Sequence, residues 1–265
     1  MTSRLITLIT DFGLADHYVG AMKGAILTVN AQAQIIDITH EIAAQDVMAG
    51  AFAVYAAYKS FPVGTIHVCV VDPGVGSRRR AIVAVCGDYF FVGPDNGLFS
   101  YVYEAEEDAR VYQLTHTEFF RHPVSATFHG RDIFAPVAAA LAKATVEAQD
   151  LGEEITDYVR LASLKKSDER PRFRIIHIDR FGNCITNITP QSLPEEMIDG
   201  GVEVLVNEVK ITRWQKFFAE EGSSKSGLFM IWGSTGFLEI VAFQASAARL
   251  LNAQRGDAVK VVCNQ

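Results

Sequence analysis

Hydrophobic positions in the first half of the chain form short runs typical of buried strands, separated by stretches with helical spacing. Runs rich in β-branched residues at 5–10, 35–39 and 65–71 predict three strands. Apolar residues recur at helical spacing over 18–29, and an Ala-rich stretch over 46–60 predicts a second helix. This strand–helix–strand–helix–strand order is typical of a parallel sheet with helices on its faces.

Further apolar runs continue this pattern toward residue 150. They predict three more strands, at 81–86, 89–92 and 111–114, and a third long helix at 132–144. Pro136 falls in the first turn of that helix, where a proline is tolerated. We therefore predict an α/β domain over residues 1–164, with a mostly parallel sheet and helices on both faces.

The pattern changes after the charged run Lys165–Arg172, which we interpret as a linker. Short β-like segments separated by turn residues follow it, and only 246–251 has helical spacing. Many short strands at this spacing predict a small all-β domain over residues 172–265, either a barrel or a sandwich. The predicted strands are 173–178, 184–188, 202–206, 209–212, 228–232, 237–241 and 258–262.

Composition narrows the class of protein. The chain has 265 residues and is 49% hydrophobic, which suits two globular domains. Its net charge is −7, whereas a nucleic-acid-binding protein usually carries an excess of basic residues. No apolar stretch approaches the length of a membrane span, and the first apolar run is too short for a signal peptide. We expect a cytoplasmic protein that binds neither nucleic acid nor membrane. Its four cysteines lack CxxC spacing and are expected to be buried thiols.

Two carboxylates follow predicted strands of the first domain. Asp11 ends the first strand and Asp72 follows the third, so both belong at the sheet edge where such folds bind ligands. Asp11 can accept hydrogen bonds from a ribose diol, or it can serve as a helix cap or turn residue. Asp72 is followed by a glycine-rich turn and three arginines at 78–80. That arrangement also suits a structural Asp–Arg pair.

His129 precedes the third long helix, whose N-terminus should face the same edge. The seven histidines show no metal-ligand spacing, so we expect no metal site. A structural role for His129 is the alternative.

Two loops of the second domain carry candidate binding residues. In the loop 178–183, Asn183 can pair with a base edge and Phe181 can stack on a base, although its Asp, Gly and Asn are also typical of a tight turn. The hydroxyls of the turn 233–236 can bind a carboxylate. Because ligand sites are common between domains, we expect both loops to close over the sheet edge of the first domain.

Six motifs in order give the chain a resemblance to a known family. They are TDFG at 10–13, VVDPGVGSRRR at 70–80, GPDNGL at 93–98, FHGRDIFAP at 128–136, IDRFGNCITNI at 178–188 and GSTGFLEI at 233–240. Together they resemble the S-adenosyl-L-methionine hydroxide adenosyltransferase family, which is related to fluorinase and chlorinase. The resemblance is collinear and covers essentially the whole chain.

The resemblance implies an enzyme that hydrolyses S-adenosyl-L-methionine to adenosine and L-methionine without a cofactor. It implies an N-terminal α/β domain followed by a small all-β barrel domain, and a homotrimer with sites between subunits. The family's catalytic set falls on Asp72, Arg79 and His129, although Arg78 or Arg80 could replace Arg79. The implied substrate-binding residues are Asp11 for the ribose and Asp16 near the methionine amine. Adenine or the methionine end is implied for Asp179, Phe181, Asn183 and Ser234, and Glu239 completes the substrate-binding set.

Differences from the halogenases favour water as the nucleophile. In the related halogenases, which this chain resembles, a tyrosine stands in place of Asp72 and a serine in place of Gly130. Fluorinase also has a tryptophan in place of Gln45. Two alternatives stay open. One is an adenosyl halide synthase, and the other is a non-catalytic sensor of adenosine or S-adenosyl-L-methionine, which would keep Asp11 and Asn183 but need no catalytic set.

Overall fold

The computed structural model divides the chain into two compact units, Met1–Lys165 and Lys166–Gln265. The described residues are 4–161, 172–199, 201–218 and 227–263. Except for Arg172, the predicted linker lies outside them.

A seven-stranded sheet forms the middle layer of the first unit. Its strands are β1 (Ile6–Thr10), β2 (Ile35–Thr39), β3 (Ile66–Val70), β4 (Ala81–Cys86), β5 (Tyr89–Pro94), β6 (Arg110–Gln113) and β7 (Glu154–Ile155). They are ordered β2-β1-β3-β5-β4-β6-β7. The first four in this order are mutually parallel, whereas β4, β6 and β7 each pair antiparallel with their neighbours. The α/β architecture is confirmed, on a mixed sheet.

Helices cover both faces of this sheet, as predicted. They are α1 (Tyr18–Val29), α2 (Val47–Ala57), α3 (Ser100–Ala105) and α4 (Ala135–Ala142), with 3₁₀ turns at Tyr58–Ser60, Thr117–Phe119 and Ala148–Leu151. Because side chains alternate along a strand, Leu8 packs in the core with α1 and α4, and Ile9 packs in the core with α2 and α3. The helix α3 was not predicted, because its six residues are too few to show a helical period.

The described residues of the second unit form two small antiparallel sheets that share a core. Its strands are β8 (Ile175–Ile178), β9 (Cys184–Thr186), β10 (Val202–Val206), β11 (Val209–Ile211), β12 (Leu228–Trp232), β13 (Leu238–Ala242) and β14 (Lys260–Cys263). They form the sheets β11-β10-β14 and β12-β13-β9-β8. Buried Ile175, Val204 and Leu238 share the core, as expected of a small barrel-like domain.

Within the described residues of this unit there are two short helices, α5 (Glu195–Asp199) and α6 (Ala247–Leu251). The prediction of a single helix there was wrong, because α5 has only five residues and cannot display a period. Its sequence signals are local: Pro194 comes before it and two glutamates occupy its first turn.

The register of β1 and β3 positions the candidate site. These strands are parallel neighbours with Thr10 opposite Val70, so the chain leaves both strands at the same edge. The prediction that Asp11 and Asp72 share this edge is therefore confirmed.

Three of the cysteines, Cys69, Cys86 and Cys184, are buried free thiols, as predicted. The side chain of Cys263 lies outside the described part. In the described ranges, no helix combines the length and apolar character needed to cross a membrane.

Candidate active site

Three side chains of the predicted catalytic set meet at the carboxyl edge of the first sheet. Nε of Arg79 donates to Oδ1 and Oδ2 of Asp72 at 3.0 and 2.9 Å, and its Nη2 also donates to Oδ2. The same Nη2 donates to Nδ1 of His129 at 2.7 Å. The side chains of Asp72 and Arg79 are only 4% and 10% exposed. Arg79 therefore bridges the carboxylate and the imidazole through an ion pair that has little contact with solvent.

The contact with Arg79 determines the tautomer of His129. A guanidinium has only donors, so Nδ1 of the ring must accept and carries no proton. Burial and the positive charge of Arg79 lower the pKa of His129 below its ordinary value. At neutral pH the ring is therefore uncharged, and its remaining proton is on Nε2.

The three adjacent arginines, at 78–80, differ in their contacts. Arg80 donates from Nε to Asp95 at 2.8 Å and from Nη1 to Asp157 at 2.6 Å. Arg78 is exposed. Only Arg79 among them contacts both Asp72 and His129, so the geometry favours it over its two neighbours.

Close backbone packing shapes the turn between Asp72 and Arg79. Gly76 has φ +76°, and a Cβ there would clash with the carbonyl oxygen of Ala126. Glycine is thus required both by conformation and by space. Its packing brings the turn against the segment that precedes His129.

A π-helical turn, Gly130–Phe134, follows His129 and leads directly into α4. Asp132 in this turn is fully buried and accepts hydrogen bonds from Nε of Arg131 at 2.6 Å and from the backbone N–H of Ser125 at 2.9 Å. These contacts fix the start of the helix and therefore the position of His129. Such π-helical turns are frequent at functional sites.

A cleft of about 590 Å³ opens at this edge. Its walls include Asp11, Phe12, Tyr18, Gln45, Asp72 and His129. Oδ2 of Asp11 accepts a hydrogen bond from the backbone N–H of Gln45 at 2.8 Å, and Gln45 has a left-handed backbone with φ 67°. Asp16 is exposed on the loop before α1 and is not among the residues that line the cleft, and neither is Arg79.

In the second unit, Asp179 organises the loop that follows β8. Its Oδ1 accepts from the backbone N–H groups of Phe181 and Asn183 at 2.9 and 2.8 Å, and its Oδ2 accepts from Nδ2 of Asn183 at 2.8 Å. These three residues line a pocket of about 900 Å³. Phe181 is 78% exposed there, so its ring face is open to a partner.

Ser234 and Glu239 do not line that pocket. Ser234 is exposed in the tight turn 233–236, closed by a hydrogen bond from the N–H of Gly236 to the carbonyl of Gly233 at 3.0 Å. Glu239 on β13 packs against the backbone of Gly233. Burial and the nearby charge of Asp179 raise the pKa of Glu239.

Sequence reasoning missed two features of the site. Gln45 acts on Asp11 through a backbone N–H in an unusual conformation, which no side-chain pattern could reveal. Asp132 lies inside the motif FHGRDIFAP, but only its burial shows that it supports the turn after His129. Among the residues that the structure describes, no group of three or more His, Cys, Asp or Glu side chains is placed to hold a metal ion.

A partly buried Asp–Arg–His array beside a cleft, at the carboxyl edge of an α/β sheet, is typical of enzymes that act on small molecules. Family models sharpen this class. The N-terminal domain of SAM hydroxide adenosyltransferases matches residues 6–152, and the C-terminal domain matches residues 173–260. The chain therefore belongs to the SAM hydroxide adenosyltransferase family.

Individual relatives agree with this placement. The chain is 38% identical to a protein of Methanocaldococcus jannaschii named (R)-S-adenosyl-L-methionine hydrolase, covering 97% of this chain and 95% of the relative. A crystal structure of an uncharacterized conserved protein from Thermotoga maritima is similar at a TM-score of 0.86 and 35% identity, covering 97% of this chain and 100% of that one. A fluorinase of Nocardia brasiliensis is more distant, at 23% identity over 97% of this chain and 96% of the relative.

Proposed function

We propose that this protein hydrolyses (R)-S-adenosyl-L-methionine to adenosine and L-methionine, by attack of water on the ribose 5′ carbon. The hydrogen bond from Arg79 to His129, at the wall of the cleft, is the observation that carries the proposal. It leaves an uncharged imidazole with a donor on Nε2, which suits stabilisation of a hydroxide-like nucleophile. The similarity to relatives named hydrolases supports the same reaction.

In the proposed step, the oxygen of water bonds to the 5′ carbon while the carbon–sulfur bond breaks and its electron pair stays on sulfur. The water proton passes to solvent, and the leaving group is a neutral thioether that needs no acid. Because a hydroxide-like nucleophile meets a sulfonium cation, the charges merge, and a site poor in water favours the step. His129 donates to the nucleophile from Nε2, Arg79 holds the ring, and Asp72 orients Arg79 through two acceptor oxygens.

We propose that carboxylates of the first unit, together with two loops and strand β13 of the second, supply the residues that bind the substrate. Asp11 is proposed to accept from the ribose diol, since the N–H of Gln45 fixes its orientation. Asp16 is proposed to meet the methionine amine. The residues proposed for adenine and the methionine end are Asp179, Phe181, Asn183, Ser234 and Glu239. The reaction as written uses no metal and no organic cofactor.

Product analysis tests the proposal directly. The full chain is incubated with (R)-S-adenosyl-L-methionine in ¹⁸O-labelled water, with and without chloride or fluoride, and the products are separated and weighed by mass spectrometry. We expect adenosine carrying the label, unlabelled methionine, and no dependence on halide or on added EDTA. A halide-dependent product would instead indicate an adenosyl halide synthase. Tight binding without turnover would indicate a sensor.

We also propose that the protein works as a homotrimer in the cytoplasm, with sites between subunits and no nucleic-acid or membrane partner. Its free buried thiols suit a reducing compartment. Light scattering on the purified chain tests the trimer, and a monomeric mass at working concentration would contradict it.

A further inference from the structure

The connection between β3 and β4, residues 71–80, carries both Asp72 and Arg79, and it passes over the end of another strand. The sheet order places β5 between β3 and β4. Because β5 runs parallel to β3, its carboxyl end reaches the same edge as the connection. The residues that follow β5 therefore lie between the two ends of this connection.

Asn96 holds the first end. Its Nδ2 donates to the carbonyl oxygen of Val71 at 2.8 Å, directly before Asp72. Its Oδ1 accepts from the backbone N–H of Leu98 at 3.2 Å. Both the amide nitrogen and the amide oxygen of Asn96 are therefore hydrogen-bonded, which fixes the orientation of the side chain.

Asp95 holds the second end. Its backbone N–H donates to the carbonyl of Arg80 at 3.0 Å, and its Oδ2 accepts from Nε of Arg80 at 2.8 Å. Its Oδ1 accepts from the backbone N–H of Val159 at 2.8 Å. The side chain is only 2% exposed, so breaking this hydrogen-bonded ion pair would leave a buried charge without its partner.

We propose that Asp95 and Asn96 are positioning residues that clamp the two ends of the 71–80 connection and so hold Arg79 on Nδ1 of His129. Neither residue lines the cleft. They act through the backbone at Val71 and through Arg80, the neighbour of Arg79. The expected effect on turnover rests on the proposed function, whereas the expected effect on His129 does not.

Two variants release one end each. Asn96→Asp keeps the size and the acceptor for Leu98 but puts an oxygen opposite the carbonyl of Val71. Asp95→Asn keeps an acceptor for Val159 but removes the charge that faces Arg80. Asp157→Asn is the matched control, because Asp157 also binds Arg80 but is 79% exposed, where ion pairs contribute little.

Kinetics give the first readout. We expect each clamp variant to lower kcat by about a hundredfold, because displacing a catalytic group by about 1 Å has an effect of that size. KM should stay close to that of the wild type, since the clamp does not touch the cleft. Asp157→Asn should behave as the wild type does.

The second readout is ¹⁵N NMR of the His129 imidazole. In the wild type we expect a protonated Nε2 and a hydrogen-bonded, unprotonated Nδ1. In either clamp variant the Nδ1 signal should move and the pKa of His129 should rise, since Arg79 withdraws while Asp72 and Asp132 still face the ring. If Asn96→Asp fails to fold, Asn96→Ala, which removes the donor without adding an oxygen, takes its place.

These readouts separate the two claims. An unchanged Nδ1 signal in the folded variants of both residues overturns the clamp, whatever the kinetics. A wild type that leaves S-adenosyl-L-methionine intact overturns the proposed function, while the NMR result still decides the clamp.

Discussion

Nη2 of Arg79 lies 2.7 Å from Nδ1 of His129, and this hydrogen bond limits what the imidazole can do. With Nδ1 occupied by a permanent donor, the ring faces its other neighbours with an N–H group. A role as general base through Nδ1 would require this contact to break. His129 is therefore suited to stabilise negative charge on a nucleophile rather than to remove a proton from it.

Replacing Arg79 by lysine should remove most of the activity. A lysine has one ammonium group and lacks the planar fork that reaches Asp72 and His129 together. We expect kcat to fall by about 100- to 1,000-fold, the range found when one preorganised donor is lost. Steady-state kinetics with (R)-S-adenosyl-L-methionine measure it. Arg78→Lys is the control, because Arg78 is exposed, and an equal loss there would contradict the assignment.

Removing the other two members of the array should separate binding from turnover. Asp72→Ala and His129→Ala leave Asp11 and its contact with Gln45 unchanged. We expect both variants to bind the substrate in calorimetry at close to the wild-type affinity and to lose most turnover. Wild-type rates in both would contradict the catalytic set.

The acid limb of the rate profile should reflect His129. Burial and the charge of Arg79 lower its pKa, so the neutral ring persists at pH values where an ordinary histidine would protonate. Protonation puts a second cation beside Arg79 and removes the acceptor on Nδ1. We expect kcat/KM, which reports the free enzyme, to be level from neutral pH down to about 6.5, the ordinary histidine value, and to fall only below it. A midpoint above that value would contradict the geometry.

A second histidine should govern the stability of the first unit in acid. His67 is fully buried, its Nδ1 lies 2.7 Å from Oγ1 of Thr7, and its ring stacks on Phe91. Burial lowers its pKa to about 3. Below about pH 6.5 the unfolded chain therefore binds a proton at this histidine that the folded chain does not bind. The free energy of unfolding falls as the pH falls from about 6.5 to about 3.

The variant His67→Phe should lack this contribution to the pH dependence of the unfolding free energy. Between pH 7 and pH 5, we expect the wild type to lose about 2 kcal/mol of unfolding free energy more than the variant loses. Urea unfolding at the two pH values measures the difference. Equal losses in the two proteins would show that His67 does not carry the effect.

Glycine at 182 should be essential for the loop that Asp179 organises. Gly182 has φ +85°, and a Cβ there would clash with the side chain of Ser246. Gly182→Ala should destabilise the protein by more than the ~1–2 kcal/mol of left-handed strain alone. Gly236→Ala is a matched control, because Gly236 has φ +80° but no atom within 4 Å of a Cβ. Thermal unfolding compares them, and equal shifts in Tm would contradict the packing.

Local patterns predicted the elements that are long enough to display a period. The runs at β1, β2 and β3 and the spacing in α1 are visible in the chain, and α3 and α5 are not, because five or six residues cover less than two helical turns. The mixed character of the sheet was not predicted either, although β4 and β5 pair antiparallel across the two-residue turn Gly87–Asp88, which is a local hairpin signal. The antiparallel pairing of β4 with β6 joins residues that lie farther apart in the sequence.

For the site, the chain by itself determined that Asp11 and Asp72 leave parallel strands at one edge, and its ordered motifs marked Arg79 and His129. Only the tertiary structure decided which of the three arginines bridges Asp72 and His129, because the direction of a side chain after a glycine turn depends on the backbone angles of that turn. The position of β5 between β3 and β4 was likewise decided by the tertiary structure, because β3 pairs with β5 and not with β4, the next strand in the chain. That order brings Asp95 and Asn96 against both ends of the 71–80 connection, because strands that are neighbours in space need not be neighbours in the chain.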